Sequence, residues 1–319
     1  MSQQFFRCQI VPLPDHQVSV RIDGSERTRW HYGKQYPRPF FFPFNGPSGE
    51  TLTRMGHPGA SNHDHHRSIW FAHHKLLGID FWSDKTDARI QQKEWLVFEE
   101  GNDKAILATR LGWYDGHEPK ELLDQIVIAI FRPASDGETL LELQSIFHPT
   151  ADSIEFQQTN FGFLAVRVAR SISEHFGAGK LTGSEGLVGE KDAAGKPNIF
   201  GRQARWMDYS GPVLPGADRP DGSSDIVEGI TYFDHPSNSG YPNRWHVRED
   251  GWMGASPCMD GPLQTTRSSP LRMRFLLHAH RGPIDSSRAD TIARQFSDWP
   301  EFDVIKSGRP HEHYGIREL

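Results

Sequence analysis

Residues 125–147 read QIVIAIFRPASDGETLLELQSIF. Isoleucine occupies every second position from Ile126 to Ile130, and apolar residues alternate again from Leu141 to Phe147. Side chains two residues apart share one face of a β-strand. The Ser135-Asp136-Gly137 segment between the two runs is typical of a turn. This stretch therefore predicts two antiparallel strands joined by a tight connection.

The flanking sequence extends this pattern. EWLVFEE and KAILATRL surround Gly101-Asn102-Asp103 and predict a hairpin, and residues 152–168 (DSIEFQQTNFGFLAVRV) predict further strand after Pro149. Residues 191–224, rich in Gly, Pro, Asp and Ser, are expected to form long surface loops. We predict a mainly β fold, a large antiparallel β-sandwich with long loops on one rim.

One α-helix is predicted, within residues 284–299 near the C-terminus. Its apolar stripe has the spacing i, i+3, i+4 and i+7, formed by Ala289, Ile292, Ala293 and Phe296. Ser286 or Ser287 is the expected N-cap, and Pro300 lies just past the end. We expect residues 1–319 to form one sandwich domain, in which residues 261–319 supply a C-terminal strand and this helix.

Composition argues against several classes of protein. The chain has 35 Lys and Arg against 41 Asp and Glu, a net charge of −6, and no basic block, so nucleic acid is a poor partner. No stretch approaches the roughly 18 apolar residues that a membrane span needs, and no signal peptide is evident. Cys8 and Cys258 are too few for a disulfide framework and fit a cytoplasmic location. Without a G-x-G-x-x-G or phosphate-loop motif, no nucleotide cofactor is expected.

The densest chemical feature is residues 62–74, NHDHHRSIWFAHH, preceded by His57. Clustered imidazoles either bind a divalent metal or supply acid–base groups. The alternative is a hydrogen-bonding cluster that organises a loop without a metal. On a continuous strand, His66, Ser68, Trp70, Ala72 and His74 would share one face, and His65, Arg67, Ile69, Phe71 and His73 the other; on a helix, His66 would instead stack with Trp70 and His73. We predict acid–base roles for His65, His66 and His73 with Asp64 orienting an imidazole, and metal ligation by His63, His65 and His73.

A looser set of polar and aromatic residues lies further along the chain. Carboxylates, imidazoles and guanidinium groups near tryptophans are typical of a pocket for a polyhydroxylated ligand. The alternative is core packing for each Trp and a turn at His235. The predicted binding residues are Trp70, Arg167, Glu185, Trp206, His235 and Arg248, and His246 joins the predicted catalytic residues.

Several blocks resemble a bacterial family labelled methane oxygenase PmoA-like. They are FFFPFNGPSGETLTR, NHDHHRSIWFAHHKLLGIDFW, FGFLAVRV, GSEGLVG, RWMDYSGPV and FDHPSNSGYPNRWHVREDGW, within about residues 30–260. The resemblance implies a β-supersandwich like that of galactose mutarotase, and a place in carbohydrate metabolism because such genes neighbour sugar oxidoreductases and isomerases. One block departs from the family pattern, since residues 157–162 read QQTNFG where many relatives have acidic and basic residues.

These observations lead to three candidate functions. The first is a carbohydrate-modifying enzyme, a lyase, hydrolase or epimerase that acts on a keto-sugar or glycoside by histidine acid–base chemistry with or without a divalent metal. The second is a non-catalytic carbohydrate-binding or sensing module. The third is a metal-dependent oxygenase, suggested by the family label alone. In each case the expected partner is a small-molecule carbohydrate or similar ligand, with neither a membrane nor nucleic acid involved.

Overall fold

The computed structural model describes residues 5–57, 59–60, 63–189, 199–213 and 226–319. The strands up to the middle of the chain are β1 (Cys8–Leu13), β2 (Gln17–Ile22), β3 (Ser25–His31), β4 (Phe40–Phe44), β5 (Ile69–His73), β6 (Arg89–Glu99), β7 (Ala105–Tyr114), β8 (Leu123–Pro133), β9 (Thr139–Pro149) and β10 (Ser153–Phe156). They continue as β11 (Gly162–Arg167), β12 (Lys180–Gly183), β13 (Leu187–Val188), β14 (Trp206–Pro212), β15 (Val227–Asp234), β16 (Trp245–Arg248), β17 (Trp252–Ala255), β18 (Leu263–Thr266), β19 (Leu271–Arg281), β20 (Phe302–Lys306) and β21 (Tyr314–Glu318). The described residues contain one α-helix, α1 (Ser286–Ser297).

The strands form two large antiparallel sheets and two small ones. One large sheet has the order β1-β2-β3-β4-β5-β11-β17-β16, and the other has the order β13-β12-β14-β15-β19-β9-β8-β7-β6. The predicted hairpin and the strands on either side of Ser135–Gly137 are the consecutive pairs β6–β7 and β8–β9. Strands β10 and β18 form one short two-stranded sheet, and β20 and β21 form the other.

The two large sheets pack against each other through an aromatic and aliphatic core. The ring centroid of Phe41 on β4 lies 6.1 Å from that of Phe131 on β8. At the other end, Tyr232 on β15 and Trp245 on β16 are 4.7 Å apart. Because such contacts link strands of different sheets, the predicted antiparallel β-sandwich is confirmed.

Strand β8 is buried on both faces. Val127 and Phe131 lie in the core between the sheets. Ile128 and Ile130 point the other way and pack with Phe302 of the β20–β21 hairpin. Burial of each large aliphatic side chain contributes about 1.5–3 kcal/mol, which explains why the residues of this strand are almost all apolar rather than alternately polar.

Helix α1 forms where it was predicted, but its cap differs. The N-cap is Asp285, whose carboxylate accepts hydrogen bonds from the backbone N–H groups of Ser287 and Arg288. The expectation of Ser286 or Ser287 is therefore wrong by one or two residues. Asp and Ser cap equally well, so three adjacent candidates could not be separated by residue type.

The predicted apolar stripe of α1 covers the outer face of the nine-stranded sheet. Ala289, Ile292 and Phe296 are buried there with Trp206 and Phe233. Residues 261–319 also hold four strands rather than one, and β19 lies between β15 and β9 in the sheet. This C-terminal segment is therefore part of the sandwich itself.

Two further expectations are corrected. Part of the predicted loop region 191–224 is strand β14, which lies between β12 and β15; residues 190–198 and 214–225 lie outside the described residues. The predicted strand at 152–168 divides into β10 and β11, which belong to different sheets. No helix of the described chain is long and apolar enough to cross a membrane.

Candidate functional site

Adjacent strands at one end of the eight-stranded sheet carry the candidate site. Arg167 of β11 pairs with Trp252 of β17, which pairs in turn with Arg248 of β16. Directly opposed residues in an antiparallel pair point to the same face, so these side chains form a row. Trp245 alternates to the opposite face, where it packs on Tyr232 of the other sheet. The row therefore faces away from the core of the sandwich.

This face holds a pocket of about 350 Å³, within the range of roughly 300–1,000 Å³ seen for small-molecule sites. Its histidines are His63, His65, His66, His74 and His246. Its larger aromatic side chains are Trp82, Phe161 and Trp252. Its charged side chains are Asp80, Lys85, Arg167, Arg248 and Asp250. Imidazoles, flat rings and fixed charges thus share one concavity.

The histidine cluster enters the pocket because the chain bends before β5. Ser68 has a φ of 57°, in the left-handed region, and its hydroxyl donates to Thr53 Oγ1 over 2.7 Å. Regular alternation begins only at the next residue, so His65 and His66 both line the pocket, although a continuous strand would place them on opposite faces. Asp64 is exposed and makes no hydrogen bond to an imidazole of the described chain; Asn62 lies outside the described residues.

The ring of His66 forms part of an aromatic stack. Its centroid lies 4.7 Å from Trp252 and 5.9 Å from Trp70, and the edge of His65 meets it at 4.3 Å. Trp70, predicted to contact ligand, is 1% exposed and supports this stack from behind the pocket wall. The Nδ1 atoms of His63 and His66 have no hydrogen-bond partner in the described chain.

Arg167 is a buried cation held by Asp250. Its Nη1 and Nη2 donate to the two carboxylate oxygens over 2.9 and 3.2 Å. Nη2 also donates to Nδ1 of His57 over 2.6 Å, and because arginine only donates, the neutral imidazole carries its proton on Nε2. Burial acts to raise the pKa of Asp250, but the hydrogen bonds and charge of Arg167 outweigh it and lower the pKa. Arg167 thus fixes this wall of the pocket.

His246 and Arg248 form a second fixed pair. Nε2 of His246 accepts a hydrogen bond from Nε of Arg248 over 3.1 Å. Nδ1 donates to the carbonyl oxygen of Asn160 over 3.1 Å. Burial, and then the charge of Arg248, lower the pKa of His246 to about 3. Both ring nitrogens are therefore engaged in hydrogen bonds. His246, which was predicted to be catalytic, lies in the pocket but serves to orient Arg248.

Three other imidazoles of the pocket, those of His63, His65 and His66, are also neutral at pH 7 because their pKa values are lowered. Burial and the guanidinium of Arg167 lower the pKa of His63. Burial and Arg38 lower the pKa of His65 to about 4. Burial lowers the pKa of His66 far below its usual value. Neutral imidazoles can accept protons but carry none to give as imidazolium.

Asp80 shapes the loop that brings Trp82 into the wall. Its Oδ1 accepts from the backbone N–H groups of Trp82 and Ser83 over 2.7 and 3.0 Å, and Oδ2 accepts from Ser83 Oγ over 2.5 Å. Burial opposes ionisation, but these hydrogen bonds lower the pKa of Asp80 below its usual value. His74 lies at the same loop, with Nε2 3.8 Å from Asp80 Oδ2.

His73 lies in the core instead of the pocket. Its side chain is fully buried, and its ring centroid lies 4.9 Å from Phe163 and 5.2 Å from Phe156. A Cβ on Gly162 would come within 2.5 Å of the His73 ring, so the facing strand leaves room for the imidazole. Alternation along β5 sends this residue to the face opposite Trp70, as the strand pattern predicted, and separates it from the other histidines.

Three predicted binding residues lie near α1 rather than in the pocket. Trp206 is buried and its Nε1 donates to Asp290 of the helix over 2.7 Å. His235 is buried and bonds a backbone carbonyl of the helix through Nε2 over 3.2 Å. Glu185 is exposed and pairs with Arg205 over 3.0 Å. Trp206 and His235 therefore anchor the helix. For Trp206 this agrees with the alternative of core packing.

Sequence reasoning missed Trp82, Lys85, Phe161, Asp250 and Trp252. Asp250 and Trp252 follow Arg248 across the turn between β16 and β17, so a hairpin predicted there would have placed Trp252 opposite Arg248. Phe161 belongs to the block that departs from the family pattern, and that block borders the pocket. No local signal in the sequence marks Trp82 or Lys85.

The predicted metal ligands are not brought together. His63 and His65 line the pocket, whereas His73 lies on the opposite face of β5. Within the residues that the structure describes, no group of three or more His, Cys, Asp or Glu side chains could hold a metal ion. These donors therefore do not fit the predicted divalent metal.

Comparisons with known proteins give a family and likenesses to solved structures. The sequence matches no curated protein. Among solved structures, the chain is similar to the crystal structure of the GalM/aldose epimerase homologue from C. elegans, with 7% identity, a TM-score of 0.32, and coverage of 87% of this chain and 99% of that one. The resemblance to the PmoA-like family stays a prediction.

Residues 17–294 match the profile of DUF6807, a family of unknown function. This range includes every described side chain of the pocket. The match spans most of the 319 residues. The chain therefore belongs to the DUF6807 family.

Proposed function

We propose that this protein is a carbohydrate-modifying enzyme in which a neutral imidazole removes a proton from a keto-sugar or glycoside. The reaction is an elimination, hydrolysis or epimerisation. One observation carries the proposal: His63 and His66 have ring nitrogens without a partner in the described chain, and both line the same pocket as Arg248.

His63 is the best-placed base. It is half-buried and lines the pocket, although its Nδ1 is buried, and its lowered pKa keeps it neutral at pH 7. His66 is 7% exposed and its strongly lowered pKa makes it a poor proton acceptor. A C–H beside a keto group is the most acidic C–H of a sugar and suits a base of this strength. Arg248 can stabilise the negative charge that develops on the neighbouring oxygen.

The aromatic wall supports a sugar as the ligand. The ring centroids of Trp82 and Trp252 are 5.3 Å apart, and Trp82 lies 5.6 Å from Phe161. Phe161 is partly exposed and can stack on the apolar C–H face of a pyranose, whereas Trp82 and Trp252 are only 4% and 2% exposed and support the wall. The indole Nε1 atoms of both tryptophans are buried and have no partner in the described chain.

The test is turnover of a panel of 3-keto-glycosides and their parent glycosides in D2O, followed by NMR. We expect loss of the ketone signal or deuterium incorporation at the adjacent carbon. His63→Gln should lower the rate by about 10²–10⁴-fold, the usual contribution of a general base. His117→Gln changes an exposed histidine outside the pocket and should leave the rate unchanged. Absence of exchange and turnover across the panel, with and without added divalent metals, would contradict the proposal.

A second candidate is a non-catalytic sugar-binding module. It is favoured by one observation: both pocket carboxylates, Asp80 and Asp250, are already engaged by hydrogen bonds, so neither is a free acid to protonate a leaving group. This alternative predicts saturable sugar binding without product, and a His63→Gln variant altered only in affinity.

A further inference from the structure

We propose that the ligand of this pocket is an anionic sugar, whose carboxylate or phosphate is bound between Arg248 and Lys85. This inference rests on the proposed function and names its substrate class. Some charged groups of the pocket are already paired within the protein, and others are free to meet a ligand.

The negative charges of the pocket are compensated within the protein. Asp250 is bound in parallel by the guanidinium of Arg167. Asp80 accepts three hydrogen bonds from the Trp82–Ser83 segment. Neither carboxylate needs a cationic or donor ligand to satisfy it.

The positive charges at the pocket are in excess. Arg248 uses Nε to bind His246, and its exposed guanidinium forms no ion pair with a carboxylate of the described chain. Lys85 is also exposed, and its ammonium has no ion pair or hydrogen bond there. Arg54 adds a further cation behind Arg167, with Nη2 on the backbone oxygen of Asp250 over 2.9 Å. The free polar capacity of the pocket is therefore cationic and donor-rich.

The pKa values of two imidazoles are affected by the same excess of positive charge. After burial, the charges of Arg167 and Arg248 are among the causes that lower the pKa of His63. Arg167 and Arg54 act in the same way on His57. The part of this lowering that comes from the guanidinium charges favours a bound anion, whereas burial disfavours a charge of either sign.

The aromatic wall distinguishes a sugar from a simple anion. A small inorganic anion would use the two cations but make no contact with Trp82, Phe161 and Trp252, the rings that line the same pocket. A sugar acid or sugar phosphate presents a charged group and a C–H face on one molecule. His246 orients Arg248, so the guanidinium can meet the charged group without being ordered first.

Calorimetric titration of the full chain with matched ligands tests the inference. The ligands are methyl glucoside, methyl glucuronide and glucose 6-phosphate, with sodium sulfate as the inorganic anion. We expect at least one anionic sugar to bind ten times more tightly than methyl glucoside, with an affinity that falls as salt is added. Tighter binding of methyl glucuronide than of glucose 6-phosphate would identify the charged group as a carboxylate, and the reverse order would identify it as a phosphate.

Variants then locate the charge. Arg248→Gln and Lys85→Gln should each weaken the anionic ligand about five- to tenfold and change the affinity for methyl glucoside less than twofold. Arg248→Lys should recover part of the loss. Arg244→Gln removes an exposed arginine that pairs with Asp260 outside the pocket and should have no effect.

The outcomes separate this inference from the proposed function. Equal affinity for neutral and anionic sugars would overturn the inference, and so would sulfate binding as tight as that of the best sugar. If neutral keto-sugars were still turned over, the proposed function would stand. No binding of any sugar would overturn both.

Discussion

Nε of Arg248 donates a hydrogen bond to Nε2 of His246, two residues earlier on the same strand face. Since Nδ1 of the same ring is bonded to the Asn160 carbonyl, the imidazole is locked between a backbone acceptor and a cation. An imidazole in this position cannot act as the base without first releasing Arg248. His246 therefore positions the guanidinium of Arg248, and Arg248 is the residue that contacts the ligand.

Replacing His246 by Ala should therefore reproduce the loss of Arg248 function. We expect His246→Ala and Arg248→Gln each to lower kcat/KM about tenfold, which corresponds to about 1.4 kcal/mol. The double variant should fall little further, because both changes remove one interaction. The pH profile should keep its midpoint. A loss of 10²-fold or more with an altered pH profile in His246→Ala alone would identify His246 as the base instead.

The cap of α1 gives a prediction about stability. Asp285→Ala removes the carboxylate that accepts from Ser287 N and Arg288 N and should lower the free energy of unfolding by about 1 kcal/mol. Ser286→Ala, the change at a residue expected from the sequence to be the cap, should alter it by less than 0.5 kcal/mol. Urea unfolding of both variants measures the difference, and equal effects would contradict the assignment of the cap.

The fold could be predicted because the period-two pattern is local. Residues 125–147 show it within one hairpin, and each neighbouring hairpin repeats it. The same pattern could not show which sheet a strand joins, since β10 and β11 are close in sequence but pair with different partners. Strand β14 was missed because a short strand buried on both faces lies between Gly- and Pro-rich segments.

The candidate site could be predicted only in part, for two physical reasons. The histidine cluster was found because its members are adjacent in sequence, but the conformation of Ser68 decides which imidazoles reach the pocket, and residue type does not encode it. The row of Arg167, Trp252 and Arg248 depends on long-range strand pairing. Trp206 has a similar polar neighbourhood in the sequence, yet it packs under a helix.

The Arg167–Asp250 pair gives a prediction about burial of charge. Asp250→Asn leaves a fully buried guanidinium beside Arg54 without its carboxylate, and removal of one partner of a buried pair costs about 3–5 kcal/mol. The matched control is Asp260→Asn, which breaks the exposed pair with Arg244 and should cost less than 1 kcal/mol. Denaturant unfolding of the two variants checks this, and similar costs would show that burial does not strengthen the Arg167 pair.

Acid should destabilise the fold through its buried histidines. Burial lowers the pKa of His73 and of His246 to about 3, whereas an unfolded histidine titrates near 6.5. Above about pH 6.5 both states are neutral and the contribution is zero. As the pH falls toward 3, the unfolded state takes up the proton first. At pH 5 this lowers the free energy of unfolding by about 2 kcal/mol for each histidine. The carboxylate of Asp250, with its lowered pKa, loses its stabilisation only below about pH 4 and does not affect this window.

The measurement is urea unfolding at pH 7.5 and pH 5. The wild-type protein should lose stability between the two, and His73→Gln should lose about 2 kcal/mol less because the variant has no buried imidazole to protonate at that position. His117→Gln, at an exposed site, should lose as much as the wild type. If His73→Gln kept the full pH dependence, the imidazole of His73 would take up its proton equally in the folded and unfolded states, and the prediction from its burial among Phe156 and Phe163 would be wrong.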